Sequence, residues 1–184
     1  MFLKRIIFFD GDGTLWYPKR TKYNKPPWSV YVDSRTKRNP LKHQTLTPHT
    51  LETLKSLKRK GIKLAVISTQ PGKYKKDRDA HLHMKLRHFG ISRFFDYVEA
   101  SKVVANHTKP DAKSVQMLKV LRKAHLPKSS ALMIGDLYES DYAQAKKIGI
   151  DAVLIDRFEI ARSDHRYSRV RKRAHDVSGV IKYI

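Results

Sequence analysis

The stretch that decides the fold runs from Phe8 to Leu15 and reads Phe-Phe-Asp-Gly-Asp-Gly-Thr-Leu. It ends a short β-branched and aromatic run, Leu3 to Phe9, that is typical of a buried strand. Two carboxylates, Asp10 and Asp12, follow this strand at once. Because Asp-Gly is also a common pair in the turn of a β-hairpin, the rest of the chain has to decide between a hairpin and a larger sheet.

The rest of the chain alternates short apolar runs with amphipathic segments. Further buried strands are predicted at Ile62–Ile67, Phe94–Ala100, Ala131–Ile134 and Ala152–Ile155. Helices are predicted from an N-cap at Thr47 to Gly61, and over 77–89, 111–124 and 138–148. Strands that alternate with helices imply βαβ units. We therefore expect a three-layer, Rossmann-like α/β fold, in which a parallel sheet of about five strands carries helices on both faces.

The composition narrows the class of protein. The 184 residues include 39 Lys and Arg against 17 Asp and Glu, which gives a formal net charge of +22. A hydrophobic content of 40% argues against a disordered basic chain, and no apolar run approaches the ~20 residues that span a bilayer. The charged start of the chain makes a poor signal peptide, and the absence of Cys excludes disulfides and thiolate chemistry. We expect a cytoplasmic protein without a membrane partner.

Polar side chains stand directly after most of the predicted strands. They are Asp10 and Asp12, then Ser68 and Thr69, then Lys109 in a short loop, and finally Asp136 with Asp141 five residues further on. In open parallel sheets, ligands bind beyond the carboxyl ends of the strands, so these side chains are expected to converge. Four clustered carboxylates repel one another unless a cation neutralises them, and hard oxygen ligands favour Mg²⁺.

In their order and context these residues resemble the four motifs of the haloacid dehalogenase (HAD) superfamily of phosphohydrolases. The matching segments are Asp10-Gly11-Asp12-Gly13-Thr14-Leu15, Ser68 after its apolar strand, Lys109 in Thr-Lys-Pro-Asp, and Gly135-Asp136 with Asp141. The resemblance covers residues 2–155. It implies a HAD-like core and a Mg²⁺-dependent phosphomonoester hydrolase that works through an aspartyl-phosphate intermediate.

The resemblance also implies a role for each carboxylate. Asp10 is expected to be the nucleophile and a Mg²⁺ ligand. Asp12 is expected to be the general acid and base, while its backbone carbonyl binds the metal. Asp136 is expected to bind Mg²⁺, and Asp141 to orient the groups around the metal. An Asp at position 12 favours a phosphatase over a dehalogenase.

The remaining motif residues are expected to hold the phosphoryl group or the loop. Ser68 and Lys109 are assigned to phosphate binding, with Thr69 as the neighbouring hydroxyl that competes with Ser68 for this role. Thr14 is expected to support the loop that carries the two aspartates. Lys109 has an alternative as a solvated loop lysine, which is common in so basic a chain.

Residues 16–46 are predicted to form a basic, aromatic flap in place of a large cap domain. The segment is broken by prolines and too short for a helical cap, and the loop before Lys109 is also too short for one. We expect a core over 1–156 and a basic C-terminal extension of the same domain over 157–184. The string Thr14-Leu15-Trp16 resembles the magnesium-dependent phosphatase-1 type of capless HAD protein, although Ser68-Thr69-Gln70 departs from the Ser-Arg often seen there.

The charge leaves the substrate open. It is expected to be a sugar phosphate, a phosphoprotein or a nucleic-acid end, and the alternative function is a nucleic-acid-binding protein that uses the +22 surface. Trp16, Tyr17 and Trp28 either stack on a base or pack the flap onto the core, and the Arg-rich tail either binds phosphates or is solvated. The three histidines within 81–88 are expected on a solvated helix without a metal.

Overall fold

The first strand, β1, spans Ile6–Phe9, and all four of its residues are buried. Burial on both faces is typical of a parallel strand with helices on each side. The computed structural model describes residues 3–19, 25–102, 111–157 and 165–184. Within them β1 lies inside a six-stranded sheet, paired in parallel with a neighbour on each side.

The other strands of this sheet also pair in parallel. They are β4 (Lys63–Gln70), β5 (Tyr97–Lys102), β6 (Ala131–Gly135), β7 (Asp151–Ile155) and β8 (Arg173–Ala174), and the spatial order is β5-β4-β1-β6-β7-β8. A separate antiparallel pair consists of β2 (Trp16–Pro18) and β3 (Gln44–Leu46). The predicted α/β class with a parallel sheet is confirmed.

The α-helices lie between the strands. They are α1 (Thr50–Arg59), α2 (Lys75–His88), α3 (Asp111–Ala124), α4 (Ala143–Lys147) and α5 (His165–Ser168). Short 3-10 helices span Pro27–Tyr31, Pro40–His43, Ser92–Phe94, Lys128–Ser130 and Val177–Tyr183, and a π-helical turn spans Tyr138–Tyr142. In the part of the chain with described coordinates, no helix is long and apolar enough to cross a bilayer.

Alternate residues of β1 pack into two separate cores. Ile7 and Phe9 belong to a cluster completed by side chains of α1, α2 and the C-terminal 3-10 helix. Ile6 and Phe8 face the opposite side and join side chains of α3 and α4. Because successive strand residues point to opposite faces, this alternation produces the expected three layers.

The parallel register brings the strand ends to one edge. Phe9 is level with Val66 of β4 and with Ile134 of β6, and the Asp10 amide donates to the Ile134 carbonyl at 2.9 Å. The residues that follow these three strands therefore emerge side by side, which is the convergence that the sequence predicts.

The predicted sheet of about five strands has a sixth, because the C-terminal segment adds β8 beside β7. Two predicted boundaries are wrong. The helix predicted from Thr47 starts at Thr50, since the Thr47 hydroxyl donates to the Thr14 carbonyl at 2.6 Å and His49 takes a left-handed φ of 60° as the N-cap. The third predicted strand begins at Tyr97, because the residues around Phe94 form a 3-10 turn.

The flap is anchored by its aromatic residues. Trp16 is fully buried and stacks on Phe89 with ring centroids 5.4 Å apart. The pairing of β2 with β3 then closes the flap as a small antiparallel hairpin. For Trp16, packing onto the core is the correct alternative, while Tyr17 and Trp28 remain half-buried.

The described part of the C-terminal segment packs onto the sheet. Val177 and Val180 are buried in the same core as Ile7. The guanidinium of Arg157 lies 2.8 Å from Asp176 Oδ2, which ties the end of β7 to the last turn. Over 165–184 the tail therefore contributes to the core instead of being fully solvated.

A buried carboxylate holds the edge of the sheet to both helical layers. Glu99 of β5 is 5% exposed. Its carboxylate oxygens lie 3.1 Å from Nζ of Lys75 on α2, and 2.9 Å and 3.4 Å from Nζ of Lys119 and Lys123 on α3. Burial favours the neutral carboxyl, but the hydrogen bonds from Lys119 and Lys75 outweigh it and hold the pKa of Glu99 below its ordinary value.

We predict that Glu99→Gln lowers the free energy of unfolding by about 1–3 kcal/mol at pH 7, since it removes charge-assisted hydrogen bonds. Because the pKa of Glu99 is lowered on folding, its contribution is present above the ordinary Glu pKa and is lost as the pH falls through the lowered value. Denaturant unfolding of both proteins from pH 7 to pH 3 checks this. Glu52→Gln, at an exposed position, is the control. The prediction is contradicted if the difference in free energy of unfolding between the wild type and Glu99→Gln stays constant with pH.

Candidate active site

Three buried carboxylates meet at the carboxyl ends of β1 and β6. Asp10, Asp136 and Asp141 are 5%, 1% and 1% exposed. One carboxylate oxygen of each lies within 4.8 Å of the others, and in the described residues this is the cluster whose donors could together hold a metal ion. The three aspartates are therefore brought together as the sequence predicts.

Two glycines allow the carboxylates of Asp136 and Asp141 to come this close to the neighbouring backbone. Gly13 has a φ of +89°, and a Cβ on it would lie 2.2 Å from Asp136 Oδ2. A Cβ on Gly135 would lie 2.3 Å from Asp141 Oδ2. Since these distances are far below van der Waals contact, the carboxylates can reach the centre only past residues without a side chain.

A lysine that the sequence analysis missed lies in the cluster. Lys113, 5% exposed in the first turn of α3, donates from Nζ to Asp10 Oδ1 at 2.6 Å and to Asp141 Oδ1 at 2.5 Å. The predicted Lys109 lies outside the described residues. Lys113 lies in the first turn of the helix that the sequence predicts over 111–124, and its place just after the third motif was the available signal.

Burial dominates the electrostatics of the aspartates. It raises the pKa of Asp10 to about 7, since the opposing charge of Lys113 is partly offset by Asp141 and Asp12. Burial, followed by the charges of Asp10 and Asp141, also raises the pKa of Asp136 well above its ordinary value. Burial alone would lower the pKa of Lys113, but Asp10 and Asp141 outweigh it and keep that pKa above its usual range. Within the described residues, the positive charge of Lys113 is therefore not enough to hold Asp10 and Asp136 at their ordinary pKa values.

The donor set fits a divalent cation. Both carboxylate oxygens of Asp136 are buried, and neither has a hydrogen-bond partner among the described residues. Burying a charged group without a partner is costly. Asp141 Oδ2, by contrast, accepts from the Leu137 amide at 3.0 Å, which fixes its orientation. An ion bound between Asp10 and Asp136 would satisfy the orphaned oxygens.

Ser68 and Thr69 lie on opposite sides of β4. Ser68 is buried against the first loop, where a Cβ on Gly11 would lie 2.7 Å from its Oγ, and it accepts a hydrogen bond from Gln70 Nε2 at 3.0 Å. Thr69 is exposed, and its Oγ1 is 2.9 Å from Ser101 Oγ on β5. The structure thus places Ser68 at the loop of the aspartates and directs the Thr69 hydroxyl elsewhere.

Thr14 contributes through its backbone. Its amide donates to the Gly11 carbonyl at 3.2 Å, which closes the turn of the first loop, and its carbonyl accepts from the Thr47 hydroxyl. The Thr14 side chain is buried, and its Oγ1 has no hydrogen-bond partner in the described structure.

Asp12 is held by a second group of side chains that the sequence analysis also missed. Its Oδ1 accepts from the Tyr31 hydroxyl at 2.6 Å and from Gln44 Nε2 at 2.9 Å, and its Oδ2 accepts from Lys85 Nζ at 3.1 Å. These partners are 19, 32 and 73 residues away in sequence. No local spacing signals contacts that depend on the path of the flap and on α2.

The histidines of α2 lie outside this site. His81 is half-buried, and one ring nitrogen contacts the Pro71 carbonyl at 3.1 Å. In the described structure the residues positioned for a metal are the three aspartates, and no histidine is among them.

The comparisons with known proteins agree with this geometry. The family described as haloacid dehalogenase-like hydrolase matches residues 6–155. Haloacid dehalogenase-like hydrolase domain-containing protein 3 of Xenopus laevis is 30% identical over 129 residues, which is 68% of this chain and 46% of that protein. A ribulose-1,5-bisphosphate 5-phosphatase of Halopiger xanaduensis is 27% identical over 129 residues, or 70% of this chain and 46% of that protein.

The fold is found in solved structures as well. A protein from Listeria monocytogenes serotype 4b superposes with a TM-score of 0.70 at 24% identity, and the match covers 97% of this chain and 95% of that one. This chain spans less than half the length of the two curated relatives.

We predict that Mg²⁺ stabilises the protein through Asp136. An ion present at 100 times its Kd adds about 2.7 kcal/mol, which for a chain of this size raises the melting temperature by roughly 5–10 °C. Asp136→Asn should abolish the rise and should be no less stable than the wild type in EDTA, because it removes a carboxyl without a partner. Thermal melts in EDTA and in Mg²⁺ test this, with Asp77→Asn as the control. A full metal response in Asp136→Asn contradicts it.

Proposed function

Because this chain belongs to the haloacid dehalogenase-like hydrolase family, we propose that it is a Mg²⁺-dependent phosphomonoesterase with Asp10 as its nucleophile. The observation that carries the proposal is the buried carboxylate of Asp10, which lies between Lys113 and the acids that follow β6. The phosphatase name of the Halopiger relative supports the same reaction class. We also propose the cytoplasm as its compartment, on the absence of Cys from the sequence.

In the first proposed step, a carboxylate oxygen of Asp10 attacks the phosphorus atom of the ester. The bond from phosphorus to the ester oxygen breaks, and Asp12 gives that oxygen a proton, so that an alcohol leaves and an aspartyl-phosphate remains. In the second step, Asp12 takes a proton from water, the water oxygen attacks phosphorus, and the bond to Asp10 breaks. Inorganic phosphate and free Asp10 result.

The neighbouring residues would bind the metal and the phosphoryl group. Asp10, Asp136 and the backbone carbonyl of Asp12 would hold Mg²⁺, with Asp141 orienting the groups around it. When bound, Mg²⁺ would neutralise the clustered carboxylates and balance the charge of the phosphoryl oxygens.

The phosphoryl oxygens also need donors from the protein. Ser68 would donate its hydroxyl to one of them, and its burial beside the first loop supports this role. We assign the charge-neutralising lysine to Lys113, on its contact with Asp10, alongside the motif residue Lys109.

We predict that Asp10→Asn lowers the release of inorganic phosphate from an aryl phosphate by about 10³-fold or more, since the amide is a poor nucleophile. The wild type should lose its activity in EDTA and regain it with excess Mg²⁺. Steady-state assays of both proteins check this, with Glu52→Gln as a variant of equal chemical change on the surface. Full activity of Asp10→Asn rules out the mechanism.

The flap favours a substrate with negative charge beyond the reacting phosphate. A cavity of about 500 Å³ in the flap is lined by the cationic side chains of Lys19, Lys25, Arg35 and Lys42, and by His43. The acid among its described lining residues is Asp33, which Arg35 pairs at 2.9 Å. His43 immediately precedes Gln44, a partner of Asp12. Val30, which also lines the cavity, immediately precedes Tyr31, a second partner of Asp12.

We therefore favour a phosphorylated polyanion, such as a nucleic-acid end, over a small sugar phosphate or a phosphopeptide of low charge. Raising the salt from about 50 to 200 mM should lower kcat/KM for a 3′- or 5′-phosphorylated oligonucleotide at least tenfold, and barely change it for p-nitrophenyl phosphate. The double variant Lys25→Gln, Lys42→Gln should reduce this difference. A similar salt dependence for both substrates would remove the polyanion proposal and keep the phosphatase.

A further inference from the structure

We propose that Lys85, Tyr31 and Gln44 are positioning residues for Asp12, and we call these three side chains the Asp12 clamp. The inference rests on the proposed function, because it concerns how the acid and base of that reaction is aimed. It adds to that function one residue from α2 and two from the flap, none of which lies in the four motifs.

Lys85 has an unusual setting for a lysine. It is 5% exposed, and its Nζ lies 3.1 Å from Asp12 Oδ2 and 2.6 Å from the Tyr31 hydroxyl. The same Nζ lies 4.7 Å from the ring centroid of Tyr31 and 5.6 Å from that of Trp16. Lysines are almost never fully buried unless they are paired. In the described structure the carboxylate that pairs with Lys85 is Asp12.

The clamp fixes both oxygens of the Asp12 carboxylate. Tyr31 donates to Oδ1 while its own oxygen accepts from Lys85 and from Gln44, so the three donors form one connected network. A carboxylate oxygen has two lone pairs. Among the described residues, Oδ1 accepts from Tyr31 and Gln44, whereas Oδ2 accepts from Lys85 alone and keeps one lone pair. We infer that Oδ2 is the oxygen that exchanges a proton with the leaving group and with water.

Two buried lysines thus serve two different carboxylate groups. Lys113 contacts Asp10 and Asp141, whereas the hydrogen bonds of Lys85 go to Asp12 and Tyr31. A change at Lys85 should therefore alter proton transfer and leave the binding of metal and phosphate in place. It should lower kcat/KM for esters that need the proton and leave KM nearly unchanged.

The proton matters most when the leaving group is a poor one. p-Nitrophenolate leaves without protonation, while an alkoxide needs a proton from Asp12. A positioned acid or base contributes about 10²–10⁴-fold. We expect Lys85→Met to lower kcat/KM for glycerol phosphate at least about tenfold more than for p-nitrophenyl phosphate. Tyr31→Phe, which removes one hydroxyl, should change the ratio of kcat/KM between the two esters in the same direction. This second variant keeps the test possible if Lys85→Met does not fold.

The controls separate positioning from folding. Lys76→Met removes the same charge from an exposed position on the same helix and should leave the ratio unchanged. In an Asp12→Asn background, Lys85→Met should have no further effect on kcat/KM, because a residue that acts through Asp12 has nothing left to act on. Lys85→Arg keeps the positive charge, so its ratio of kcat/KM between the two esters should lie between those of Lys85→Met and the wild type.

The possible outcomes are distinct from those for the proposed function. If the wild type hydrolyses no phosphate ester, the proposed function fails first. If the wild type is active and Asp10→Asn is not, but Lys85→Met and Tyr31→Phe keep the wild-type ratio between the two esters, the clamp is wrong and the phosphatase stands. The clamp would also be overturned if Lys85→Met lowered kcat/KM by the same factor in the wild type and in Asp12→Asn. Lys85 would then act on the reaction without Asp12.

Discussion

The burial of three carboxylates within 4.8 Å of one another is the constraint on which the rest of the structure depends. Burial and mutual repulsion both oppose their charge, as the raised pKa values of Asp10 and Asp136 show. Lys113 offsets part of this cost, and the unpartnered oxygens of Asp136 leave room for a cation. The parallel register of β1 and β6 holds the acids together in spite of their repulsion, because each acid follows a strand that is buried on both faces.

The net charge of +22 is distributed in a way that the total alone does not reveal. Lys85 and Lys113 are buried, and each of them pairs with a carboxylate of the candidate site. Three more lysines form ion pairs with Glu99 at the edge of the sheet. The positive total therefore conceals a buried acidic cluster, in which Lys113 contacts two of the three carboxylates.

The residues at the strand ends were predictable, because a buried run followed by Asp-Gly or Gly-Asp marks both the strand and its carboxyl end. The two-residue strand Arg173–Ala174 could not be predicted, because two residues are too few to show an alternating hydrophobic pattern. The N-cap at Thr47 was predicted wrongly because local rules could not foresee that its hydroxyl holds the Thr14 carbonyl. Contacts such as Lys85 with Asp12 join segments 73 residues apart and depend on packing alone.

The flap explains how a core without a large cap can still hold Asp12, the proposed acid and base, in place. Trp16 stacks on Phe89, and β2 pairs with β3, so the strands of the flap are held against the core without a ligand. Tyr31 and Gln44 then reach Asp12 from this fixed element. A mobile cap has to close before it can orient such a group, whereas here the donors are preorganised. Because the flap need not close over the whole substrate, this arrangement is compatible with the proposed substrate, a phosphate at the end of a large molecule.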